Sequence, residues 1–255
     1  MNLILAVLVG LAAGWLVNYL SDVLPVLRKL TRPACIHCGK SFGWQDYLLL
    51  RACRECKQPR SWRTTIVLAA GPILAVLLQI SPPAKLGSWL GLLVLTYFGV
   101  VMVIDLEHRL IMHIVSLAGA AIGLLVGIVA NGPVKTLLGG LGGLAIMLVF
   151  YFFGILFARY RARKLGVNDD EEALGFGDVT LSAVIGLMLG WPLITTGLVI
   201  GILAGGLVSL VLVIVLVLSR RFESMNVFTA YGPYLVLGAA LIMFVPPVAH
   251  FFTGR

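Results

Sequence analysis

The sequence predicts an all-α integral membrane protein of about eight transmembrane helices with one small loop domain outside the bilayer. Three observations carry this prediction. First, 60% of the 255 residues are hydrophobic and only 12% are charged, whereas soluble domains carry roughly 25% charged residues. Second, several apolar runs approach or exceed the ~17–25 residues that a spanning helix needs. Third, all four cysteines fall in one polar stretch near the N-terminus.

Eight apolar runs are the predicted membrane segments. The first has no charge, and its basic residues follow it instead of preceding it, so we expect a retained helix and not a cleaved signal peptide. The sixth is too short to span alone at about 1.5 Å per residue, so we expect it to start inside the preceding loop or to lie shallow and tilted. The segments are Asn2–Leu20, Thr65–Ile80, Ser88–Ile104, Leu110–Ala130, Val134–Phe157, Val179–Gly190, Leu193–Leu218 and Thr229–Phe252.

The lysines and arginines predict the orientation. Of the 19, only Lys85, Lys135 and Arg255 lie outside the odd-numbered connections. Because cytoplasmic loops carry the basic excess, the odd connections are expected in the cytosol and both termini outside. All 11 acidic residues fall on the same side, which is therefore the side where polar chemistry is expected.

The net charge of +8 invites a nucleic-acid interpretation, which we reject for two reasons. Membrane topology and anionic lipid account for the basic residues, and no nucleic-acid motif accompanies them. The lipid bilayer is therefore an expected partner and nucleic acid is not.

Three regions follow from this organisation: a first transmembrane helix (1–30), a cytosolic subdomain (31–63) and a membrane core of seven helices (64–255). The subdomain is too small to build an ordinary hydrophobic core, and pieces of this size usually need a metal or disulfides.

The cysteines of the subdomain form two CxxC pairs, Cys35/Cys38 and Cys53/Cys56, separated by 14 residues. Two such knuckles can place four thiolates at the corners of a tetrahedron, the arrangement of structural zinc. A redox pair or free thiols are the alternatives, and a reducing cytosol disfavours disulfides. We predict a closed zinc site that folds the loop and does not catalyse, with His37 as a bystander.

Two aspartates stand at the ends of apolar runs. Asp105 closes the third segment and Asp178 opens the sixth, after Gly175 and Gly177. An intramembrane aspartate costs about 2.5–3.5 kcal/mol or more, which makes it a functional candidate. Each alone has a plain alternative, a helix cap or an interfacial charge. Together they predict a dyad that shares one proton, activates water and protonates a leaving amide nitrogen. The glycines would let backbone or a bound peptide approach the dyad closely.

The order of these features resembles the type IV prepilin peptidase family, the bacterial GxGD aspartic membrane peptidases. The double CxxC loop resembles the zinc subdomain of that family. Each motif alone occurs in many proteins, but their combination in this order is specific for the family. The other matching pieces are Gly14 and Asn18 followed by Leu24-Pro25, Ile104-Asp105-Leu106 followed by Leu110-Ile111, Gly175 to Leu181 followed by Gly186, Gly190 and Trp191, and Tyr231 to Leu235.

The resemblance implies an enzyme of the bacterial inner membrane that cleaves the basic leader of type IV prepilins or pseudopilins on the cytosolic face, with Asp105 and Asp178 carrying the peptidase step. The acidic residues on that face are expected to attract the basic leader. Many members then methylate the new amino terminus with S-adenosylmethionine. This chain has Met112-His113 where the family commonly has Pro-Asp, but both residues lie beyond the dyad, so peptidase activity is still expected. It also lacks the Arg-Tyr-Pro segment and the glutamate that follow the cysteines in many bifunctional members, and for this reason we expect methyl transfer to be reduced or absent.

Two other functions fit parts of the sequence. A cation- or proton-coupled transporter could bind its ion at the aspartates, although we find neither internal repeats nor midplane polar groups. A catalytically silent assembly protein could dock partners through the cysteine loop.

Overall fold

The computed structural model describes residues 2–35, 37–165, 175–219 and 230–245. The chain divides into two compact units, Met1–Leu110 and Ile111–Arg255. Every regular element of the described residues is an α-helix, which confirms the all-α prediction. The acidic residues Asp169–Glu172 and both ends of the predicted last segment lie outside the described residues.

The first unit is built on three long helices and one short one. Helix α1 packs against α3 and α4, which also contact each other. The approach of α1 to α3 is close, because a Cβ added at Gly71 would lie 2.2 Å from the carbonyl oxygen of Gly10. Membrane helices associate through small residues of this kind. The bounds are α1 Leu3–Leu27, α2 Trp44–Leu48, α3 Trp62–Ile80 and α4 Gly87–His108.

The second unit surrounds one short helix. Helix α7 packs against α5, α6, α8 and α9, and most of its residues from Val179 onward are buried. Helix α9 in turn crosses α8 closely, with a Cβ at Gly238 only 2.3 Å from the carbonyl oxygen of Gly197. The bounds are α5 His113–Asn131, α6 Pro133–Leu165, α7 Phe176–Leu189, α8 Leu193–Leu218 and α9 Gly232–Phe244.

Six of these helices, α1, α3, α4, α5, α6 and α8, are long and apolar enough to cross a membrane. Helices α7 and α9 are apolar but shorter, with 14 and 13 described residues. Each predicted segment thus corresponds to a helix in the described part of the chain, and the architecture fits a multi-pass inner-membrane protein. The predicted division into 1–30, 31–63 and 64–255 stays a prediction.

The helix ends differ from the apolar runs in informative ways. Helix α1 continues past its predicted end at Leu20 to Leu27, because the charge of Asp22 is neutralised by arginines and does not stop the helix. Helix α7 begins at Phe176, before its predicted start at Val179.

Candidate active site and metal centre

The four cysteines bring their sulfur atoms together at the tip of the loop. All four Sγ atoms lie within 4.8 Å of one another, and the Cys35–Cys56 and Cys38–Cys53 sulfurs are each 3.6 Å apart. A tetrahedral zinc with Zn–S bonds of about 2.3 Å requires sulfurs about 3.8 Å apart. The donor set therefore fits a four-thiolate metal site. His37 is exposed and is not part of this cluster.

The two knuckles share one backbone pattern. In the first, the N–H of Cys35 donates to the carbonyl of Lys40 and the N–H of Gly39 donates to the carbonyl of Cys35, both at 2.8 Å. In the second, the N–H of Cys53 donates to the carbonyl of Gln58 at 3.1 Å, and the N–H of Lys57 donates to the carbonyl of Cys53 at 2.9 Å. Gly39 has φ 71°, and its counterpart Lys57 takes φ 54° without being glycine. The left-handed conformation costs a non-glycine residue about 1–2 kcal/mol, so the tight turn is imposed by the knuckle.

The thiols differ in how readily they ionise. Backbone N–H groups, first that of Cys56 and then that of Glu55, lower the pKa of Cys53 to about 7. The N–H of Gln58 acts in the same direction on Cys56, but burial and the neighbouring thiols outweigh it and raise the pKa of Cys56 to about 12. A metal ion binds thiolates, so binding at neutral pH must displace the proton of Cys56.

Asp22, near the end of α1, ties the loop to the helices. Its Oδ2 accepts hydrogen bonds from the Tyr47 hydroxyl at 2.7 Å and from Nη2 of Arg60 at 2.8 Å. The Arg60 guanidinium also stacks 4.0 Å from the centre of the Tyr47 ring. The side chains of Asp22 and Arg60 are 11% and 10% exposed. Breaking such a buried pair from one side typically costs about 3–5 kcal/mol.

A second carboxylate supports the loop from inside. Asp46 in α2 is buried, and Nε of Arg54 lies 2.8 Å from its Oδ2. Arg51 approaches the other carboxylate oxygen at 3.6 Å. The loop thus has few apolar side chains in its interior and is held by charge pairs and by the knuckles.

Asp105 lies in the last turn of α4, with only 4% of its surface exposed. The helix ends there because Arg109 takes a left-handed conformation and donates its N–H to the Asp105 carbonyl at 2.9 Å. The neighbour Leu106 is 61% exposed, so the aspartate occupies the packed face of the helix and the leucine the outer one. A carboxyl in this position is costly to desolvate, which fits a functional residue better than an interfacial charge.

Asp178 is the third residue of α7, within its first turn. Gly175 is the N-cap residue, and the N–H of Asp178 donates to its carbonyl at 3.0 Å. The interpretation of Asp178 as an N-cap is therefore wrong, since the helix starts two residues earlier and its N-cap is Gly175. Ser182, one turn further on, donates its hydroxyl to the Asp178 carbonyl at 2.8 Å.

Gly177 lies where α7 passes the start of α5. A Cβ added there would lie 2.8 Å from the Cβ of Ile111, closer than real Cβ atoms come to other heavy atoms. Thr180 donates to the Gly177 carbonyl at 2.8 Å, and its hydroxyl lies 3.2 Å from that of Ser116 in α5. By contrast, the nearest atom to a Cβ at Gly175 is Oδ2 of Asp178 at 3.7 Å. Gly177 is thus required by packing, whereas among the described residues a Cβ at Gly175 meets only the carboxylate, at ordinary contact distance.

The predicted site residues meet different outcomes. The four cysteines converge as expected, whereas Asp105 lies in the first unit and Asp178 in the second, so their pairing stays a prediction. The sequence interpretation missed the cluster around Asp22, which it treated only as a loop charge. Two arginines immediately before a membrane helix were the available signal, since buried arginines need a carboxylate.

The sequence of the chain matches a known protein family. A family model described as the type IV leader peptidase family matches residues 89–248, which include both Asp105 and Asp178. No solved structure matches the chain.

Curated relatives share a single name, prepilin leader peptidase/N-methyltransferase. The protein from Aeromonas hydrophila is 26% identical, over 85% of this chain and 72% of its own length. The protein from Burkholderia pseudomallei strain K96243 is 27% identical, over 96% of this chain and 85% of its own length. The protein from Pseudomonas putida is 27% identical, over 80% of this chain and 68% of its own length.

Proposed function

Because the chain belongs to the type IV leader peptidase family, we propose that it is a membrane-embedded aspartic endopeptidase that removes the leader peptide of type IV prepilins or pseudopilins. The observation that carries the proposal is the family match across residues 89–248, which includes two aspartates at helix ends. The relatives' name states the same activity for those proteins.

In the proposed mechanism, the carboxyls of Asp105 and Asp178 share one proton. The ionised carboxylate takes a proton from a water molecule, whose oxygen attacks the amide carbon. The protonated carboxyl then gives its proton to the leaving nitrogen as the carbon–nitrogen bond breaks. Gly175 and Gly177 are proposed to let the peptide backbone approach Asp178, and the uncrowded position of Gly175 among the described residues supports that role.

Methyl transfer is the second proposed activity. The relatives carry N-methyltransferase in their name, which argues against the expectation that the residues after Cys56 abolish it. S-adenosylmethionine would be the methyl donor. Incubating the purified protein with mature pilin and labelled S-adenosylmethionine tests this directly, and an absence of labelled pilin would restore the original expectation.

Zinc is the metal we propose for the cysteine cluster. When bound it would supply four sulfur–metal bonds that fold the loop, and it would leave no open position for substrate. The cysteine-bearing loop is proposed to face the cytosol, together with the ends of α4 and α7 that carry the aspartates. The distribution of basic residues supports this orientation.

The other two functions gain no support. Relatives of this chain are named as peptidases and not as transporters, and a silent assembly protein would not need a buried carboxyl at the end of α4.

The test is cleavage of a synthetic prepilin by purified Asp105→Asn and Asp178→Asn variants in lipid. We expect each substitution to abolish cleavage while substrate binding and helix content are retained. Glu55→Gln, which removes an exposed carboxylate of the loop, is the matched control and should retain cleavage. Full activity in either dyad variant would overturn the proposed mechanism.

A further inference from the structure

One arginine connects three helix ends of the first unit. Arg63, the second residue of α3, donates from Nη2 to Oδ1 of Asp22 in α1. Its Nε also lies 2.9 Å from Oε1 of Glu107 in α4. The side chains of Arg63 and Glu107 are 14% and 36% exposed, so this arm of the connection reaches the surface.

The α4 end of this connection is the turn that carries Asp105. The last four carbonyls of a helix have no intrahelical partner, and helix ends fray for that reason. Here the backbone closes with one bond, from the N–H of Arg109 to the Asp105 carbonyl at 2.9 Å. Glu107 lies two residues after Asp105, on the side of the turn away from it. Its ion pair with Arg63 therefore restrains the turn through the side chain of Glu107.

The opposite side of Asp22 belongs to the cysteine loop. Its Oδ2 accepts from Tyr47 and Arg60, while Oδ1 accepts from Arg63. One carboxylate is thus shared between the loop and the arginine that holds the α4 end. A disturbance on the loop side must alter the position or the charge balance of Asp22, and Arg63 responds because it is bound to the same group.

We propose that Arg63 is a positioning residue for Asp105: by binding Asp22 and Glu107 together, it holds the last turn of α4 in its active position and links that position to the folded state of the cysteine loop. The proposal rests on the proposed function in so far as Asp105 is catalytic. A positioning role can be distinguished from a role in stability. The partly exposed ion pair of Arg63 and Glu107 contributes little to the free energy of global unfolding. By contrast, a displacement of about 1 Å at a catalytic group lowers the rate about 100-fold.

The central experiment uses the full-length protein in lipid and a synthetic peptide with a basic leader and a pilin-like apolar segment. In Glu107→Gln we expect kcat to fall about 10- to 100-fold, with KM changed by less than about twofold. Thermal unfolding and bound zinc should match the unsubstituted protein. Glu107→Asp, which keeps the charge, should recover part of kcat. His108→Gln alters an exposed side chain of the same turn and should behave like the unsubstituted protein.

A double-substitution cycle tests whether the pair acts as one unit. Arg63→Gln combined with Glu107→Gln should lower kcat no further than Arg63→Gln alone, because the first substitution already removes the contact. If the double variant instead lost kcat by the product of the two single losses, Arg63 would not act through Glu107. In Glu107→Gln, which leaves Asp22 and its partners intact, a fall in kcat accompanied by loss of zinc or of thermal stability would likewise assign the pair a purely structural role and overturn the proposal.

A second measurement makes the proposal independent of cleavage. Hydrogen exchange followed by mass spectrometry should show faster exchange at the amides around Asp105 to Arg109 in Glu107→Gln, but not in His108→Gln. Unchanged exchange would overturn the positioning role even in a protein that cleaves. Cleavage that survives Asp105→Asn would instead overturn the proposed function, while leaving the exchange result to decide the restraint on this turn.

Discussion

Gly139 in α6 and Gly186 in α7 meet backbone to backbone. A Cβ added at Gly186 would lie 2.2 Å from the carbonyl oxygen of Gly139, and a Cβ added at Gly139 would lie 2.3 Å from that of Gly186. No side chain fits between the two helices at this crossing. Since α7 begins with the turn that bears Asp178, this crossing fixes the carboxyl-bearing helix against its largest neighbour.

Gly186→Ala should therefore displace α7. The added methyl group cannot be absorbed by a rotating side chain, because the atom that it meets belongs to the backbone of α6. We expect a stability loss of about 1–3 kcal/mol and a fall in peptidase activity of about 100-fold. Thermal unfolding in detergent and leader-peptide cleavage measure the two effects. Gly206→Ala in α8 is the matched control, since a Cβ there meets no atom within 4 Å, and a similar loss in this control would contradict the argument.

The two glycines before Asp178 should respond differently to the same substitution. Gly177→Ala places its Cβ 2.8 Å from the Cβ of Ile111, so α5 and α7 must separate, and we expect loss of both stability and activity. Gly175→Ala meets only the Asp178 carboxylate at 3.7 Å, so the fold should be retained. If Gly175 faces the peptide, its alanine variant raises KM with normal thermal unfolding. Equal thermal stability of both variants would contradict the packing role of Gly177.

Tyr47→Phe isolates the hydrogen bond between the loop and Asp22. The substitution keeps the ring that stacks with Arg60 and Trp15 but removes a donor to a largely buried carboxylate. Hydrogen bonds to charged groups contribute about 1.5–3 kcal/mol, and we expect a loss of that size in thermal or denaturant unfolding. Tyr19→Phe provides the control, because its hydroxyl donates at an exposed site to the carbonyl of Thr31. A cost in the control as large as that at Tyr47 would refute this account.

Metal binding should strengthen as the pH rises. With a pKa of about 12, Cys56 is protonated in the metal-free loop throughout the neutral range, so each bound metal releases at least its proton. The pKa of Cys38 is raised as well, so its thiol also carries a proton that the metal displaces, and below its pKa of about 7 Cys53 adds a further one. The apparent affinity should thus fall at least about tenfold for each pH unit lost, and more steeply below pH 7.

Competition with a chromophoric chelator between pH 6 and 8 measures this slope. His37→Gln should leave it unchanged, because the imidazole is exposed and outside the cluster of sulfurs. A shallower slope in that variant would make His37 a metal ligand and one of the cysteines dispensable.

Much of this architecture could be predicted because local patterns determine it. The CxxC spacing carries its own turn geometry, so Cys35 and Cys53 arrive in matching knuckles. Apolar runs predict membrane helices because a bilayer leaves the backbone few other choices. The placement of Asp105 at the end of α4 followed from the same reasoning.

The parts that escaped prediction depend on contacts between distant residues. Asp22 meets Arg60 and Arg63 across 38 and 41 positions of sequence, and no spacing rule indicates such a pairing. The structure confirms that α7 starts inside the loop before its apolar run, but the first helical residue could not be predicted because Gly175 and Gly177 look like loop residues. Gly177 is helical and is glycine because of Ile111, a tertiary reason that the local sequence does not show.

The short length of α7 has a consequence for the solvent of the reaction. Its 14 residues rise about 21 Å, against about 30 Å for a hydrocarbon core. Four neighbouring helices cover α7, so a helix this short leaves one of its ends below the membrane surface, where water must reach it. Peptide hydrolysis consumes a water molecule, and an enzyme embedded in a bilayer has to obtain that molecule from the aqueous phase. Under the proposed role of Asp178, a helix too short to cross keeps that first-turn carboxyl within reach of the aqueous phase, and we expect the rate of cleavage to depend on the thickness of the surrounding bilayer.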